Sequence, residues 1–358
     1  MKIFRVKNYK GLKDLELNGL SQVNLFVGRN NVGKSSLLEA LTLFASGDST
    51  AEIRDILEYN NSGGRDSDDN GPYFYSLFNR TGFNDRIAPE IIFSDERSSV
   101  RIEVCYRKEK RTQNGNSTSH VSEYVGEKEF LSAAGKAIES VPAEKGIAIH
   151  SGESFHFIPF QGEIRVYPYN QTCIFVRPVD YFMSSNAALY DQIAMSEKEN
   201  QLIDALRIIE PQIQRINYLE SEPGSRKRVP FVIVGSGSER VRLSTMGDGI
   251  NRILTIILSL LNCPSGGILC LDEIDNGLHF SVQKQLWEMV LSLACKLNVQ
   301  IFATTHSMDC LRSFAQANAG GDALLIRLDA SSNGEIVPQY YSNPKAVQLA
   351  VENQIELR

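Results

Sequence analysis

The 358-residue sequence predicts an α/β fold with a mainly parallel sheet and an inserted β-rich and helical region. Three observations support this. The first is an apolar run followed by a glycine-rich loop and a helix near the start of the chain. The others are the alternation of strands with helices after residue 249 and the short alternating segments between these two parts. Strands joined by helices form parallel sheets with right-handed crossovers. We therefore expect a discontinuous core domain at residues 1–46 and 214–358, with residues 47–213 inserted.

Composition limits the classes of function. Hydrophobic residues make up 42% and charged residues 22%, which is typical of globular proteins. The net charge of −6 lacks the basic signature of a dedicated nucleic-acid binder, although a local patch would still allow DNA contact. We find no signal segment, and the longest apolar stretch, Ile253–Leu261, is too short to span a bilayer. We expect a cytoplasmic protein with no membrane partner.

The six cysteines form no CxxC pair and lie in apolar runs. This distribution favours buried thiols over disulfides or a zinc site.

The N-terminal elements follow from the apolar pattern and the turn residues. We predict strands at 3–7, 15–17 and 23–27 and a helix at 35–44. Residues 47–71 are rich in Asp, Ser, Asn and Gly, which predicts a surface loop. Segments such as VRIEVCYR and TCIFVRP between residues 91 and 178 predict an antiparallel β-rich subdomain.

The second half alternates between the two element types. Residues 181–213 have helical apolar spacing up to Pro211. Further strands are predicted at 217–219, 230–234, 241–243, 267–271, 300–304, 323–328 and 336–341, and helices at 249–261, 282–297, 308–316 and 344–353.

The segment GRNNVGKS, residues 28–35, matches the Walker A pattern GxxxxGK[ST] between a predicted strand and a predicted helix. Glycines let backbone N–H groups curl around phosphates, the helix N-terminus adds a favourable dipole, and the lysine meets the β and γ oxygens. A glycine-rich turn before a helix is the alternative. The predicted ligands of ATP and Mg²⁺ are Gly28, Asn30, Asn31, Val32, Gly33, Lys34, Ser35 and Ser36, with Ser35 also on the metal.

Two later apolar strands end in polar residues. One ends in Asp272-Glu273 and the other in Thr304-Thr305-His306-Ser307, and parallel strands would place both ends at one edge of the sheet. We predict that Asp272 holds the Mg²⁺ shell, Glu273 activates the attacking water and His306 contacts the γ-phosphate. The alternatives are a helix cap for the acidic pair and a simple turn residue for the histidine.

A fourth segment, LSTMGDGINRIL, precedes the acidic strand. Ser244, Gly247 and Gly249 form a small-residue loop before an apolar helix, which predicts a second anion site. A simple N-cap by Asp248 is the alternative. A second phosphate-binding loop would imply contact with a second nucleotide.

Together with the opening FRVKNYKGLKDLEL, these four segments resemble the ATPase head of the ABC-type branch that contains the RecF, SMC and OLD-family proteins. The resemblance covers residues 1–46 and 240–358 and includes a D-loop-like Asp275-Asn276-Gly277-Leu278. It implies a P-loop NTPase fold of the ABC-type head, here without a Toprim nuclease domain or a long coiled coil. Gln192 is a candidate for the Q-loop glutamine, and an exposed helical residue is the alternative.

The resemblance also implies roles for these residues. Lys34 and Ser35 would bind phosphate and Mg²⁺, Glu273 would be the catalytic base, and His306 would sense the γ-phosphate. The loop at Ser244, Gly247 and Gly249, longer than the compact LSGGQ form, would reach ATP held by a second subunit. Two heads would then sandwich two nucleotides in a homo-oligomer.

We expect an ATPase whose ATP-dependent head association switches an assembly, in prokaryotic anti-phage defence or DNA maintenance, with a separately encoded nuclease-like effector. The alternative is a RecF-like, ATP-controlled DNA clamp in repair, with phosphate contacts from the basic runs at 107–111 and 226–228. Solvated loop charge also explains those runs. The nucleotide-binding subunit of a transporter ranks last, because the RecF-like opening and the β-rich insertion fit it poorly.

Overall fold

The computed structural model describes residues 1–47, 56, 77–79, 90–114, 117–126, 143–159, 173–178, 183–222, 224–225, 227–236, 239–321 and 323–342. The chain divides into two compact units. The first comprises Met1–Gly19, Glu39–Asn170 and Ala330–Val337, and the second Leu20–Leu38, Gln171–Asp329 and Pro338–Arg358.

In chain order the strands are β1 (Phe4–Tyr9), β2 (Leu12–Leu17), β3 (Val23–Val27), β4 (Glu90–Ser94), β5 (Ser99–Asn114), β6 (Ser117–Gly126), β7 (Ala143–Ser151), β8 (Ser154–Pro159), β9 (Cys173–Val176), β10 (Ile213–Glu220), β11 (Arg228–Val234), β12 (Arg240–Arg242), β13 (Ile268–Leu271), β14 (Gln300–Thr304), β15 (Ala323–Ala330) and β16 (Ile336–Tyr341). The helices are α1 (Lys34–Ala45), α2 (Met183–Ile193), α3 (Glu197–Leu206), α4 (Asp248–Asn262), α5 (Phe280–Leu297) and α6 (Met308–Ala317), and Leu243–Met246 is a 3₁₀ turn.

The predicted parallel sheet is confirmed. Its six strands follow the order β16-β15-β3-β14-β13-β9. Strands β15, β3, β14, β13 and β9 pair in parallel. Strands β3 and β13 are buried along their whole length, as expected for strands covered on both faces. The carboxyl ends of β3, β13 and β14 therefore meet at one edge of this sheet.

Helix α4 is largely buried, and its side chains join those of α2, α3 and α5 in one core. The only tryptophan of the chain, Trp287 on α5, packs edge-on against Phe314 of α6 with ring centroids 4.9 Å apart. Its indole N–H donates to the Cys310 sulfur at 3.4 Å. These contacts fix α6 against α5 directly beneath the loop that carries His306.

The first unit contains the antiparallel sheet that the sequence predicted. Its strand order is β2-β1-β4-β5-β7-β8, and β6 pairs with β5. Two placements differ from the prediction. Strand β9 was expected in this subdomain but pairs in parallel with β13, whereas β1, expected with the core domain, pairs with β4. Short strands show a similar pattern of apolar residues in either sheet. The sequence pattern therefore does not decide which sheet a strand joins, and the pairing in the structure does. The predicted domain bounds at 46/47 and 213/214 stay a prediction.

Other boundaries were also corrected. The predicted helical stretch 181–213 contains two helices, because Met195 takes a left-handed φ of 61° and Ser196 caps α3. Strands β10, β11 and β12 form a separate three-stranded antiparallel sheet. Cys295 is exposed, so the prediction of buried thiols holds for the other five cysteines only. The predicted loop at 47–71 lies almost entirely outside the described residues, and the predicted helix at 344–353 lies wholly outside them.

Among the described residues, no helix is both long and apolar enough to cross a membrane.

Candidate functional site

The loop between β3 and α1 owes its curl to three residues with positive φ. Gly28 has a φ of 141°, Asn31 of 62° and Gly33 of 96°. A Cβ on Gly28 would lie 2.3 Å from the carbonyl oxygen of Leu328 on the neighbouring strand β15, so only glycine fits there. Helix α1 begins at Lys34, and the N–H groups of a first helical turn have no partner within the helix. The loop therefore has the shape and polarity of an anion cradle.

Five predicted ligand residues differ in exposure. Asn30, Asn31 and Ser35 are exposed, whereas Val32 is buried and anchors the loop. Ser36 is half-buried. Their roles toward ATP stay predictions.

Lys34 is buried, and its ammonium donates to two carbonyl oxygens of the loop itself. The distances are 2.7 Å to Gly28 and 2.9 Å to Arg29. Burial lowers the pKa of Lys34 to about 8, although the carboxylates of Asp272 and Glu273 oppose this shift. The lysine therefore lies within electrostatic reach of both acids predicted for hydrolysis.

The acidic pair at the end of β13 is held by the end of β14. The Thr304 hydroxyl donates to the Asp272 carboxylate at 2.6 Å and accepts the Glu273 N–H at 2.9 Å. Asp272 is buried, and Glu273 takes a left-handed φ of 46°. The helix-cap alternative is wrong, because α5 begins only at Phe280 and His279 caps it. One hydroxyl thus fixes both the carboxylate of Asp272 and the backbone of Glu273.

A buried arginine that sequence reasoning missed supports the same turn. Arg252 of α4 donates to the carbonyl oxygens of Asp272 at 2.7 Å, Glu273 at 3.0 Å and Arg177 at 2.7 Å. A buried charge is stable only with such partners. The sequence did contain a signal for this role, because Arg252 is the single basic residue of a mainly apolar helix. Arg252 is a positioning residue for the turn that carries the predicted base.

His306 follows β14 and is exposed. Partial burial and the nearby Lys34 cation lower its pKa, against the opposing carboxylates of Glu273, Asp272 and Asp275. The neutral form of the imidazole is therefore favoured relative to that of a free histidine. The cap of α6 is Ser307, whose side chain accepts the Cys310 N–H.

The D-loop-like turn is tied to the histidine loop. The Thr305 hydroxyl donates to Asp275 at 2.6 Å and accepts the Ser307 N–H at 3.0 Å. These hydrogen bonds connect Asp275 to the residues on both sides of His306.

The first turn of α4, which follows the small-residue loop, lies against the D-loop-like turn. A Cβ on Gly249 would approach the Gly277 carbonyl oxygen to 3.0 Å. Ser244 and Gly247 are exposed, and Gly247 has a φ of 96°. The alternative of an Asp248 cap is wrong, because the N-cap is Gly247 and Asp248 is already helical.

The other candidates fall outside this cluster. Gln192 is an exposed residue on α2. The strand that pairs with β13 on the side away from β14 is β9. Arg177 and Pro178 follow β9 and therefore lie at the same edge of the sheet as the ends of β3, β13 and β14. Of the basic run 226–228, Arg228 is engaged by Asp191 in two hydrogen bonds of 2.6 and 2.9 Å. The basic run 107–111 lies in β5 of the antiparallel sheet.

Within the described part of the chain, no three His, Cys, Asp or Glu residues converge as a metal site. Ser35 and Asp272 nevertheless supply the hard oxygen atoms that Mg²⁺ prefers. This ion is usually held by one or two protein ligands together with phosphates and waters. The residues present thus fit a nucleotide-bound Mg²⁺ better than a protein-only metal centre.

Comparisons with known proteins agree with this architecture. Residues 23–311 match the family described as "AAA domain, putative AbiEii toxin, Type IV TA system". An ATP/GTP phosphatase of Helicobacter pylori is 24% identical over 331 residues, covering 87% of this chain and 86% of the relative. An uncharacterised protein of Methanocaldococcus jannaschii is 51% identical over 41 residues, which is 12% of this chain and 19% of that protein.

A solved SMC head bound to the C-terminal winged-helix domain of ScpA has the same fold. Its TM-score is 0.50 at 12% sequence identity, with 97% of this chain and 99% of the SMC head covered. The predicted P-loop NTPase fold with an SMC-like head is therefore confirmed. Because the family match spans well over half of the sequence, this chain belongs to that family of AAA ATPase domains.

Proposed function

We propose that this protein binds and hydrolyses ATP with Mg²⁺ and uses the nucleotide to control association of two heads. One observation carries the proposal: three parallel strands deliver the Walker A loop, the Asp272-Glu273 turn and the His306 loop to one edge of the sheet. The phosphatase name of the Helicobacter pylori relative supports nucleotide hydrolysis.

Each residue has a distinct task in this proposal. Lys34 leaves its loop carbonyls to bind phosphate oxygens, and Ser35 with Asp272 holds the metal. Bound Mg²⁺ supplies charge neutralisation at the β and γ oxygens. Glu273, aimed by Thr304 and Arg252, accepts a proton from water. His306 donates a hydrogen bond to the γ-phosphate.

The loop at Ser244, Gly247 and Gly249, in which Ser244 and Gly247 are exposed and Gly249 is half-buried, provides for association. These residues flank the N-terminus of α4, where backbone N–H groups favour an anion. In the proposed homo-oligomer they contact ATP held by the partner head. ATP binding then closes the heads, and hydrolysis releases them.

The biological setting is proposed as anti-phage defence or DNA maintenance, in the OLD-like branch and with a separate effector. The family description, which names a toxin of a toxin–antitoxin system, is compatible with such a two-component arrangement. DNA binding stays a prediction, and the engagement of Arg228 by Asp191 weakens one of its two basic runs.

The test is the solution mass of Glu273→Gln by light scattering, with and without Mg-ATP. We expect this variant to bind ATP, to lose hydrolysis and to increase in mass with ATP. Glu288→Gln is the matched control, since Glu288 is an exposed acid on α5 paired with Lys284 at 3.6 Å, and it should hydrolyse like the parent.

Two outcomes would contradict the proposal. Normal hydrolysis by Glu273→Gln would show that Glu273 is not the catalytic base. An unchanged mass, in a protein that is monomeric and shown to bind ATP, would show that ATP does not drive the association of two heads. The Lys34→Ala/Glu273→Gln double variant should not gain mass, because its ATP affinity is lost.

A further inference from the structure

The three-stranded antiparallel sheet of β10, β11 and β12 has two faces of different character. Ile216, Tyr218 and Val232 lie on one face and belong to the hydrophobic core of the second unit. Successive side chains of a strand point to opposite faces, so Phe231 and Ile233 lie on the other face. Both are half-buried, and neither belongs to that core. The outer face therefore carries apolar side chains that the core does not use.

Exposed polar residues flank this apolar strand on both sides. Those of β10 and β12 are Arg215, Asn217, Arg240 and Arg242. The sheet register places Ile233 between Arg215 and Arg240, and strands lie about 4.8 Å apart, so the backbones of these two arginines are about 10 Å apart. The register places Phe231 between Asn217 and Arg242. We call the surface formed by these six residues the arginine face.

The arginine face concentrates positive charge in an acidic protein. The chain has 43 Asp and Glu residues against 37 Lys and Arg residues, yet neither row of the face contains an acid. Within the described part of the chain, Arg215 and Arg240 form no ion pair, whereas the exposed Arg312 is paired with Asp309 at 2.9 Å. The positive charge of this face is therefore left for an anion from outside the chain.

The third arginine of the face is held in place. The Arg242 guanidinium donates to the Ser221 carbonyl oxygen at 2.6 Å, and its Cζ lies 5.7 Å from the centre of the Phe231 ring. A guanidinium has five N–H donors, so most of them remain for a ligand. Arginine suits phosphate because two parallel N–H groups match two of its oxygens. The face thus presents phosphate-binding groups on either side of an apolar strand that contains an aromatic ring.

The apolar middle of the face distinguishes between nucleic acids. A duplex keeps its bases stacked inside and presents its charged backbone, which would lie against Phe231 and Ile233. A single strand instead exposes base faces that stack on aromatic side chains and base edges that bond to polar groups such as the Asn217 amide. Its phosphates would then lie over the arginines of β10 and β12. The arrangement therefore fits a single strand better than a duplex.

We propose that the arginine face binds single-stranded nucleic acid, with bases on Phe231 and Ile233 and phosphates on its three arginines. The face lies wholly within the second unit and shares no residue with the basic runs 107–111 and 226–228. It also contains none of the residues assigned to ATP or Mg²⁺. Binding of a single strand therefore does not depend on the proposed ATPase activity.

The experiment measures binding of labelled oligodeoxythymidylate and oligouridylate, each of about 16 nucleotides, to the nucleotide-free full chain by fluorescence anisotropy. We expect at least one strand to bind at low salt, with a Kd that rises as salt is added. Each phosphate contact of a single strand contributes about 0.7 to the slope of log Kd against log salt concentration, so three contacts give a slope of about 2. The two arms show whether the face prefers a DNA or an RNA backbone.

Two kinds of variant should give different signatures. Arg215→Gln and Arg240→Gln should each weaken binding and lower the salt slope by about 0.7, because each removes one phosphate contact. Phe231→Leu keeps an apolar side chain but removes the ring, so it should weaken binding about fivefold or more and leave the slope unchanged. The arginine variants should keep the Tm of the parent, since both side chains are exposed, and they test the face even if Phe231→Leu lowers Tm.

The matched controls make the same changes away from the face. Arg312→Gln alters an exposed arginine of α6, and Phe280→Leu alters an exposed phenylalanine of α5. Both should bind the strands with the affinity and the salt slope of the parent. Lys34→Ala removes the predicted phosphate ligand of the Walker A loop and should also bind like the parent, because the strand does not use that loop.

Four outcomes would overturn the proposal. Neither strand binds at low salt, both arginine variants keep the parent's slope, or Lys34→Ala abolishes binding. The fourth is that a duplex of the same length binds more tightly, or that poly-L-glutamate of equal charge displaces the strand equally well, which would assign the face to duplex DNA or to an acidic protein segment. If the strands bind with the expected pattern but ATP is not hydrolysed, the face stands and the proposed function fails.

Discussion

The Walker A loop and the acidic turn at Asp272-Glu273 are held in different ways. Lys34 bonds to carbonyls five and six residues before it, and the curl of the loop comes from its own positive-φ residues. The acidic turn depends on Thr304, 32 positions from Asp272, and on Arg252, 20 positions from it. The binding half of the site is thus built locally, and the hydrolytic half is built by tertiary contacts.

This difference teaches that the two halves can be damaged separately. Loss of a distant side chain should impair hydrolysis while ATP affinity survives, whereas changes within the loop should act on affinity first. The following experiments test that separation, in order of decreasing expected effect.

Arg252→Met should give the largest effect. It leaves three carbonyl oxygens without their guanidinium donor, and each buried acceptor that loses its partner costs about 1–3 kcal/mol of unfolding free energy. Chemical denaturation measures that loss, and ATPase assays should show a strongly reduced rate with ATP affinity nearly unchanged. Arg312→Met, at an exposed arginine paired with Asp309, should change stability by about 0.5 kcal/mol or less. Equal losses in ATP affinity and rate would contradict the separation.

Thr304→Val removes one hydroxyl and keeps the side-chain volume. The Asp272 carboxylate then loses its hydrogen-bond donor, and the Glu273 N–H loses its acceptor. The free energy of unfolding should fall by about 1–3 kcal/mol. We expect slower hydrolysis and a higher Mg²⁺ requirement in steady-state assays. Thr305→Val is the comparison, since it releases Asp275 instead. A normal Mg²⁺ requirement in Thr304→Val would show that Asp272 needs no such support.

Lys34 should make ATP affinity dependent on pH. Its pKa of about 8 in the free protein lies below the ordinary lysine value, and bound phosphates raise it again. Binding therefore takes up a proton above pH 8, and affinity should fall by up to about tenfold per pH unit. Calorimetry in buffers of different ionisation enthalpy measures the proton uptake. Lys34→Arg, which stays protonated, should abolish this pH dependence.

Asn31→Gly should have the smallest effect. Asn31 holds a left-handed φ of 62°, which glycine adopts without strain, although glycine also gains freedom in the unfolded chain. The net change should be a few tenths of a kcal/mol by thermal denaturation, with ATP affinity within about twofold. A large loss of affinity would instead assign the Asn31 side chain a direct role in nucleotide binding.

The same contrast explains what the sequence could predict. The Walker A loop is a contiguous pattern, so its position between a strand and a helix was evident. The Gly28 requirement has a further cause that no local pattern contains, namely the Leu328 carbonyl on a neighbouring strand. Apolar runs identified β13 and β14, and parallel pairing then implied that their ends meet.

Residues that act through distant contacts were missed or misplaced. Arg252 belongs to a segment that looks like an apolar helix, and its three acceptors lie elsewhere in the chain. Strand β9 resembles the antiparallel strands that precede it, although its partner β13 follows only much later.

The single tryptophan provides an internal optical reporter. Trp287 is buried and donates its indole N–H to the sulfur of Cys310, and the first turn of α6 lies directly after Ser307. Thiols quench indole fluorescence at contact distance, so emission depends on the separation of α5 and α6. A movement of the His306 loop on addition of nucleotide should therefore change the intensity of one native fluorophore, and rapid mixing can time that movement without an added label.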